Sequence, residues 1–474
     1  MKHLIIPALV LVALFQLGDL FSRSEDHLMA ETFSRFIEPP SRLITNPYHN
    51  GYFYFFGLNA APPQDPAHAG FDLWIETAQK NLGEHEISKV PGSELNLSVS
   101  PDSLSAQWVS VNPLNEFRNQ ESLAQFLNGD HRIFLSRYDK WLTLPFEDWG
   151  FGSRAQPRYR DVMAIHRLYI AEGFSFGTVR GIERLGKEFL FWRLVLREAR
   201  TIQIKIFAQV VLTDDLHLLS QILARPNVEK NTLMMAAQLT VPLTQSEYSL
   251  RWPIRNQLAL AAKSRNRSPQ SGTIQSTSSK SEQDWLAQAT NLLPDAFEKI
   301  EHPPSRSTLS LPLQSAKAGE AYLAYYDIAT KASESGARFF PRMEEVTSTI
   351  QRGWAERVLN PHPIEPDWAR FYRRLMGTDA RLRLASLQIQ LRRASVHTSV
   401  PTRLAEVGSQ YFDPFSGLPM LWSPTQNKLY SVGEDRIDDG GDPTFDISVP
   451  AIIEPSRSAP HSAGLTRNAS RHRR

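Results

Sequence analysis

Apolar residues recur at three- and four-residue steps from about Asn112 to Lys263, which is the spacing of one face of an α-helix. The series Val162–Tyr169 predicts one helix, and a turn at Gly173 separates it from a second series, Leu185–Val210. Short helices joined by such turns bury their apolar faces against one another. We therefore predict a mainly α fold, either an irregular bundle or stacked helical hairpins, and the lack of a fixed-period repeat favours the bundle.

A helix boundary is predicted inside this region at Thr213-Asp214-Asp215. Threonine is a common N-cap residue, and acids in the first turn complement the helix dipole. The apolar stretch that follows, from Leu216 onward, would then form a separate helix.

The N-terminal segment, residues 22–111, combines prolines with an aromatic run, Tyr52–Phe56. Proline interrupts long helices, and so many aromatic rings are too costly to leave in water. We expect an extended segment with short helices that lies over the helical body. An exposed aromatic platform for a ligand is the alternative interpretation.

The remaining boundaries follow from changes in composition. The helical domain of residues 112–263 is followed by a Ser/Thr-rich stretch, 264–283, which we expect to be a disordered linker. Helical patterns resume in residues 284–395, at 285–293, 318–331, 343–359 and 366–393. A small β-rich module is predicted for residues 396–454, and a disordered basic tail for 455–474.

Charge and cysteine content exclude several classes of function. Fifty-two basic and fifty acidic residues give a net charge of +2, so the chain as a whole offers no field that would attract nucleic acid. The chain contains no cysteine, which excludes disulfides, thiolate catalysis and thiolate metal sites. No nucleic acid partner is expected.

The N-terminal residues 1–21 carry an export signal. Lys2 precedes an apolar run, residues 4–21, whose length lies between that of a signal peptide and that of a membrane span. The small-x-small site Ser22-Arg23-Ser24 contains a central arginine, which favours an uncleaved anchor over a cleaved signal peptide. A single-pass bacterial inner-membrane protein with the bulk of the chain in the periplasm is predicted.

The motif Gly173-Phe-Ser175-Phe-Gly177 matches the nucleophile elbow of serine hydrolases. An elbow requires a strand before the serine, whereas the preceding residues have a helical pattern. A turn between two helices is therefore the favoured interpretation, with an envelope hydrolase using Ser175 as the alternative. Histidines do not occur at metalloprotease spacing, and we predict no catalytic residues and no enzymatic activity.

Acidic and glycine residues are concentrated in residues 433–446. Crowded carboxylates repel one another unless a cation or nearby bases neutralise them, and Ca²⁺ prefers oxygen ligands from flexible loops. The spacing is not that of an EF-hand. A calcium loop and a plain Gly/Asp turn cluster both remain open.

Residues 413–447 resemble the C-terminal region of the major pseudopilins of type II secretion. The resemblance rests on Asp413-Pro414, Gly417-Leu418-Pro419, the stretch Tyr430–Asp435, and Asp446-Ile447. It implies a calcium loop at the end of a small antiparallel sheet, with the Val432 carbonyl and the Asp435 and Asp446 carboxylates as ligands. Arg436 stands where that family has glycine, and the prepilin processing site is missing.

The whole chain is similar to a group of large uncharacterised proteobacterial single-pass envelope proteins. The shared motifs are the aromatic stretch Asn50–Pro66, Phe191-Trp192-Arg193, the run Leu243–Leu250, and Asp413–Gly417. The resemblance implies an anchored envelope protein and no particular activity. We expect a binding or scaffolding component with an envelope protein as its partner. An accessory factor of a secretion or pilus-like system is a further alternative.

Overall fold

A computed structural model describes residues 31–80, 129–153, 157–265, 316–335, 365–393 and 399–451, together with residues 95, 114, 117 and 155. The backbone is mainly helical, as predicted, and residues 31–37 are also helical. The helices are α1 (Gly51–Phe56), α2 (Pro66–Lys80), α3 (Gly129–Trp141), α4 (Tyr159–Ser175), α5 (Thr178–Glu198), α6 (Ile202–Leu223), α7 (Lys230–Leu239), α8 (Gln245–Tyr248), α9 (Arg251–Arg265), α10 (Ala316–Ser333), α11 (Glu365–Arg393) and α12 (Val400–Glu406). Single 3₁₀ turns occur at Pro47–His49 and Ser409–Tyr411.

The aromatic N-terminal segment is part of the core. Phe55 packs against Trp141 and Trp192 with ring centroids 4.8 and 6.3 Å apart, and the Trp141 indole donates a hydrogen bond to the Gly51 carbonyl at 2.7 Å. The expected burial of the aromatic residues is confirmed. The backbone is more helical than the expected extended form, because Asn50 caps α1 and Pro66 occupies the first position of α2, where proline is tolerated.

Helices α4, α5 and α6 form the centre of the fold. Helix α5 packs against both α4 and α6, and α6 also packs against α11. Within the described residues, only α6 is long and apolar enough to cross a membrane, and 83% of its apolar window is buried inside the fold. The predicted anchor, residues 4–21, lies outside the described residues.

The predicted helix boundary at Thr213–Asp215 is wrong. These residues lie in the middle of α6 and are buried. The Thr213 hydroxyl donates to the Gln209 carbonyl one turn earlier at 2.9 Å, and Asp214 pairs with Arg167 of α4. These side chains therefore bond within α6 and to α4, and they do not cap the start of a new helix.

The C-terminal module contains the predicted sheet. Strands β1 (Leu421–Ser423), β2 (Lys428–Ser431) and β3 (Ile447–Pro450) form an antiparallel sheet in the order β1-β2-β3. The Gln388 side chain on α11 donates to the carbonyls of Ser220, on α6, and Pro450, on β3. The sheet is thereby fixed to the helical body.

Helices α10 and α11 confirm the patterns predicted at 318–331 and 366–393. Helix α9 continues to Arg265, past the predicted start of the linker. The rest of that linker, the patterns at 285–293 and 343–359, and the tail 455–474 lie outside the described residues.

Candidate functional site

Five charged side chains meet between α4, α5 and α6, inside the helical body. His166 and Arg167 come from α4, Glu188 from α5, and Asp214 and Asp215 from α6. The Arg167 side chain is 4% exposed and the other four are 0% exposed. Charged groups are rarely buried so completely unless they are paired or bind a cation.

The imidazole of His166 lies between the acids of the neighbouring helices. Its Nδ1 atom is 2.7 Å from Glu188 Oε2, and its Nε2 atom is 3.4 Å from Asp214 Oδ2 and 3.8 Å from Asp215 Oδ1. One ring therefore connects carboxylates from both other helices.

Asp214 is held by the guanidinium of Arg167. The Nε and Nη2 atoms donate to the two carboxylate oxygens at 2.9 and 3.1 Å, which is the bidentate geometry of a strong charge-assisted pair. Burial raises the pKa of Asp214, but Arg167 and His166 outweigh it and lower the pKa to about 2. Asp214 is therefore ionised at neutral pH.

The pKa values of Asp215 and Glu188 are shifted in the direction opposite to that of Asp214. Burial raises the pKa of each carboxyl, and their mutual repulsion raises that of Asp215 further. Burial lowers the pKa of His166, but Glu188 and Asp215 outweigh it and raise the pKa to about 10. The cluster thus favours positive charge on the imidazole and resists ionisation of two of its three acids.

Among the described residues, neither carboxylate oxygen of Asp215 has a hydrogen-bond partner, although both atoms are buried. His166, Glu188 and Asp215 can each place one ligand atom so that the three atoms lie within 4.8 Å of one another. Within the described part of the chain, this is the sole group of three or more histidine and acidic residues that meets this distance.

No protein-family model matches the chain, and no curated protein or solved structure is significantly similar to it. The site is therefore interpreted from its own geometry.

Ser175 lies in the last turn of α4, and its hydroxyl donates to the Glu172 carbonyl at 2.7 Å. Gly177, with φ of 127°, separates α4 from α5. The expected turn between two helices is present at this position. A nucleophile elbow needs a strand before the serine, and here a helix precedes it.

The structure places the three predicted calcium ligands in the connection from β2 to β3, but in different environments. The Asp446 carboxylate is buried and accepts a hydrogen bond from the Gly441 amide at 2.7 Å. Asp435 is exposed and accepts from the Ile437 amide, whereas the Val432 amide donates to Asp413. Burial, with Asp438 and Asp439 nearby, raises the pKa of Asp446. The calcium site stays a prediction.

Asp413 has a structural role in this module. Its carboxylate accepts hydrogen bonds from the Phe415 amide, the Ser431 hydroxyl and the Val432 amide, at 2.9 to 3.0 Å. It therefore fixes the Asp-Pro turn to the end of β2.

Sequence reasoning missed the buried cluster because its members are far apart in the chain and lack a motif spacing. Two signals were available. Asp214 and Asp215 are adjacent acids within a helical run rich in apolar residues, Ile202–Leu223, and His166 stands between the apolar residues Ile165 and Leu168 of α4 with only Arg167 intervening. Charged residues on core faces indicate that a tertiary partner is required.

Proposed function

We propose that this protein is a non-catalytic binding or scaffolding component of the bacterial envelope, anchored in the inner membrane by residues 4–21 and placed mainly in the periplasm. Its helical body would hold the C-terminal module in a fixed position for contact with another envelope protein. The observation that carries the proposal is a set of three exposed apolar side chains in that module.

Three large apolar side chains are exposed in its connections. Leu418 precedes β1, and Ile437 and Phe445 lie between β2 and β3, with exposed fractions of 64%, 60% and 57%. The strands beside them are fixed to α6 and α11 through Gln388. Loops held on a rigid scaffold are a common location for binding residues, and exposed apolar side chains favour a protein partner.

The anchor is supported by the apolar sequence of residues 4–21 and by the poor cleavage site that follows it. Membrane fractionation and intact-mass measurement test this part of the proposal. Protein that resists alkaline extraction and retains residue 1 supports the anchor. A mature chain that begins near Glu25 contradicts it.

Site-specific photocrosslinking in the native host tests the binding surface. A photoreactive amino acid replaces Ile437 or Phe445 in the full-length protein, and the matched control carries it at Met234, which is 52% exposed on α7. We expect a discrete crosslinked product from the two loop positions only. The same products from Met234, or none from the loops, would contradict a binding surface at the C-terminal module.

A narrower candidate is an accessory factor of a secretion system. It is supported by the position of the acidic loop, which joins the last two strands of an antiparallel sheet as the resemblance to major pseudopilins implies. Mass spectrometry of the crosslinked product distinguishes the two candidates, because a secretion-system subunit would support the narrower one.

A further inference from the structure

We propose that His166, Glu188 and Asp215 bind a divalent first-row transition-metal cation inside the helical body. This site is independent of the surface proposed for a protein partner. It would join α4, α5 and α6 through one ion.

The first argument is charge. Three buried carboxylates face one guanidinium and one imidazole, so full ionisation leaves the cluster with a net negative charge even when His166 is protonated. Arg167 is already committed to Asp214 through two hydrogen bonds. A divalent cation at the position where Glu188 and Asp215 lie beside the imidazole would take the place of the protons on these groups, because metal ligands bind in their deprotonated forms.

The second argument is the state of Asp215. A buried carboxylate normally accepts several hydrogen bonds, and a buried oxygen that is left without one destabilises the folded state. Within the described residues, both Asp215 oxygens lack a hydrogen-bond partner. A coordinated metal ion would satisfy the same lone pairs. It would therefore explain why the Asp215 carboxylate is buried without a hydrogen-bond donor.

The third argument is geometry. Metal–ligand bonds to nitrogen and oxygen are about 2.0–2.2 Å long, so ligand atoms that share an ion are roughly 3–4 Å apart. Nε2 of His166 is 3.8 Å from Asp215 Oδ1, and one atom from each of the three residues fits within 4.8 Å. Small side-chain rotations would bring the set around one ion.

The surrounding contacts are those of a supported metal site. The groups that hold the ligands in place are as much a part of a metal site as the ligands themselves. One ring nitrogen of His166 lies 2.7 Å from Glu188 Oε2 and the other faces the two aspartates, so the imidazole lies beside both proposed carboxylate ligands. Arg167 holds Asp214 in place, and we assign Asp214 a positioning role.

The ligand types decide the class of metal. Imidazole nitrogen with carboxylate oxygen suits Zn²⁺, Mn²⁺, Fe²⁺ and Co²⁺, whereas Ca²⁺ and Mg²⁺ prefer oxygen ligands alone. The chain has no cysteine, so thiolate-selective metals are not favoured. The site therefore differs in metal preference from the calcium loop predicted at the C-terminus.

Complete burial determines how the experiment is done. An ion would enter while the protein folds, so added metal is expected to equilibrate slowly with the folded chain. The full-length protein is therefore unfolded with chelator, refolded with or without Co²⁺, and desalted. Metal content is measured by mass spectrometry, and the visible absorption of bound Co²⁺ reports nitrogen and oxygen ligation.

The variants are Asp215→Asn and Glu188→Gln, which remove a charge and keep the side-chain size. Asp148→Asn is the matched control, because Asp148 is also fully buried but lies outside the cluster, where it accepts hydrogen bonds from Gly150, Arg200 and Thr201. Asp435→Ala is a second control, for metal held by the acidic C-terminal loop. Circular dichroism confirms that each variant folds.

We expect the wild type and both controls to retain one equivalent of Co²⁺ with a visible absorption band and an increased melting temperature. Asp215→Asn and Glu188→Gln are expected to lose at least tenfold in affinity. A wild type that refolds without bound metal overturns the proposal, as does full retention by a folded Asp215→Asn. If only Asp435→Ala loses the metal, the ion belongs to the C-terminal loop and the proposal is wrong.

Discussion

The guanidinium of Arg193 and the carboxylate of Glu247 form a bidentate ion pair, with N–O distances of 2.6 and 2.7 Å. Arg193 also donates to the carbonyls of Val241 and Pro242, and Glu247 completes a capping box with Thr244 at the start of α8. The sequence motifs Phe191–Arg193 and Leu243–Leu250 are therefore in direct contact.

Replacement of Arg193 by lysine is expected to destabilise the fold by about 1–3 kcal/mol, because an ammonium group cannot reproduce the planar bidentate pair and both carbonyl contacts. Urea unfolding measures the change. Arg197→Lys is the control, since Arg197 is half exposed and pairs with its neighbour Glu198. Equal effects of the two substitutions would contradict a special role for the Arg193–Glu247 pair.

The crossing of α1 and α2 depends on Gly57 and Gly70. A Cβ atom added at Gly70 would lie 1.9 Å from the Phe53 carbonyl oxygen, and one at Gly57 would lie 1.9 Å from that of Pro66. Gly70→Ala is therefore expected to separate the helices and to destabilise the protein by more than about 2 kcal/mol. Gly129→Ala, with no atom within 4 Å of the added carbon, is the control. Thermal unfolding of both variants decides whether the close approach matters.

The helical body could be predicted from sequence because its faces follow a regular apolar period, as in Val162–Tyr169 and in the pattern 366–393. The small C-terminal sheet was expected from the composition of residues 396–454 and from the resemblance of residues 413–447 to the major pseudopilins. In contrast, the conformation of Tyr52–Phe56 depends on a long-range contact, since the Asn50 side chain that caps α1 also bonds to both backbone groups of Glu147. Local sequence does not contain that partner.

The buried cluster was not predicted for a related reason. Thr213–Asp215 has the composition of a helix start, and only the presence of Arg167 and His166 on a neighbouring helix makes a buried, mid-helix position favourable. Local propensity and tertiary pairing compete at such positions, and pairing prevailed here.

The calcium prediction for the C-terminal loop can be tested by calorimetry. Calcium bound by the Val432 carbonyl with Asp435 and Asp446 would stabilise the folded state by mass action and raise the melting temperature relative to a chelator control. Asp435→Ala would abolish that increase, and Mg²⁺ would substitute poorly because it demands near-octahedral geometry. Melting curves that do not respond to calcium would leave the loop as a Gly/Asp turn cluster.

Lys205 should make stability depend on pH in a specific window. Its side chain is fully buried in α6, where the ammonium group donates to the Leu196 carbonyl at 2.8 Å. Burial lowers the pKa of Lys205 to about 7, against an ordinary value of 10.5, although Glu247 and Glu198 oppose the shift. The unfolded chain therefore binds more protons than the native one between these two values, and the free energy of unfolding should rise with pH across that range.

Lys205→Met removes this dependence, because methionine fills a similar volume and carries no proton. At pH 7 and below, the variant is expected to be more stable than the wild type, since the wild type bears the full cost of a buried charge. One pKa unit corresponds to about 1.4 kcal/mol, so the advantage should shrink by several kcal/mol as the pH rises from about 7 toward 10.5. Urea unfolding at successive pH values measures the difference, with Lys140→Met, an exposed lysine, reporting the effect of removing a surface charge. A difference between Lys205→Met and wild type that stays constant across the window would show that Lys205 is not buried as a proton-binding group.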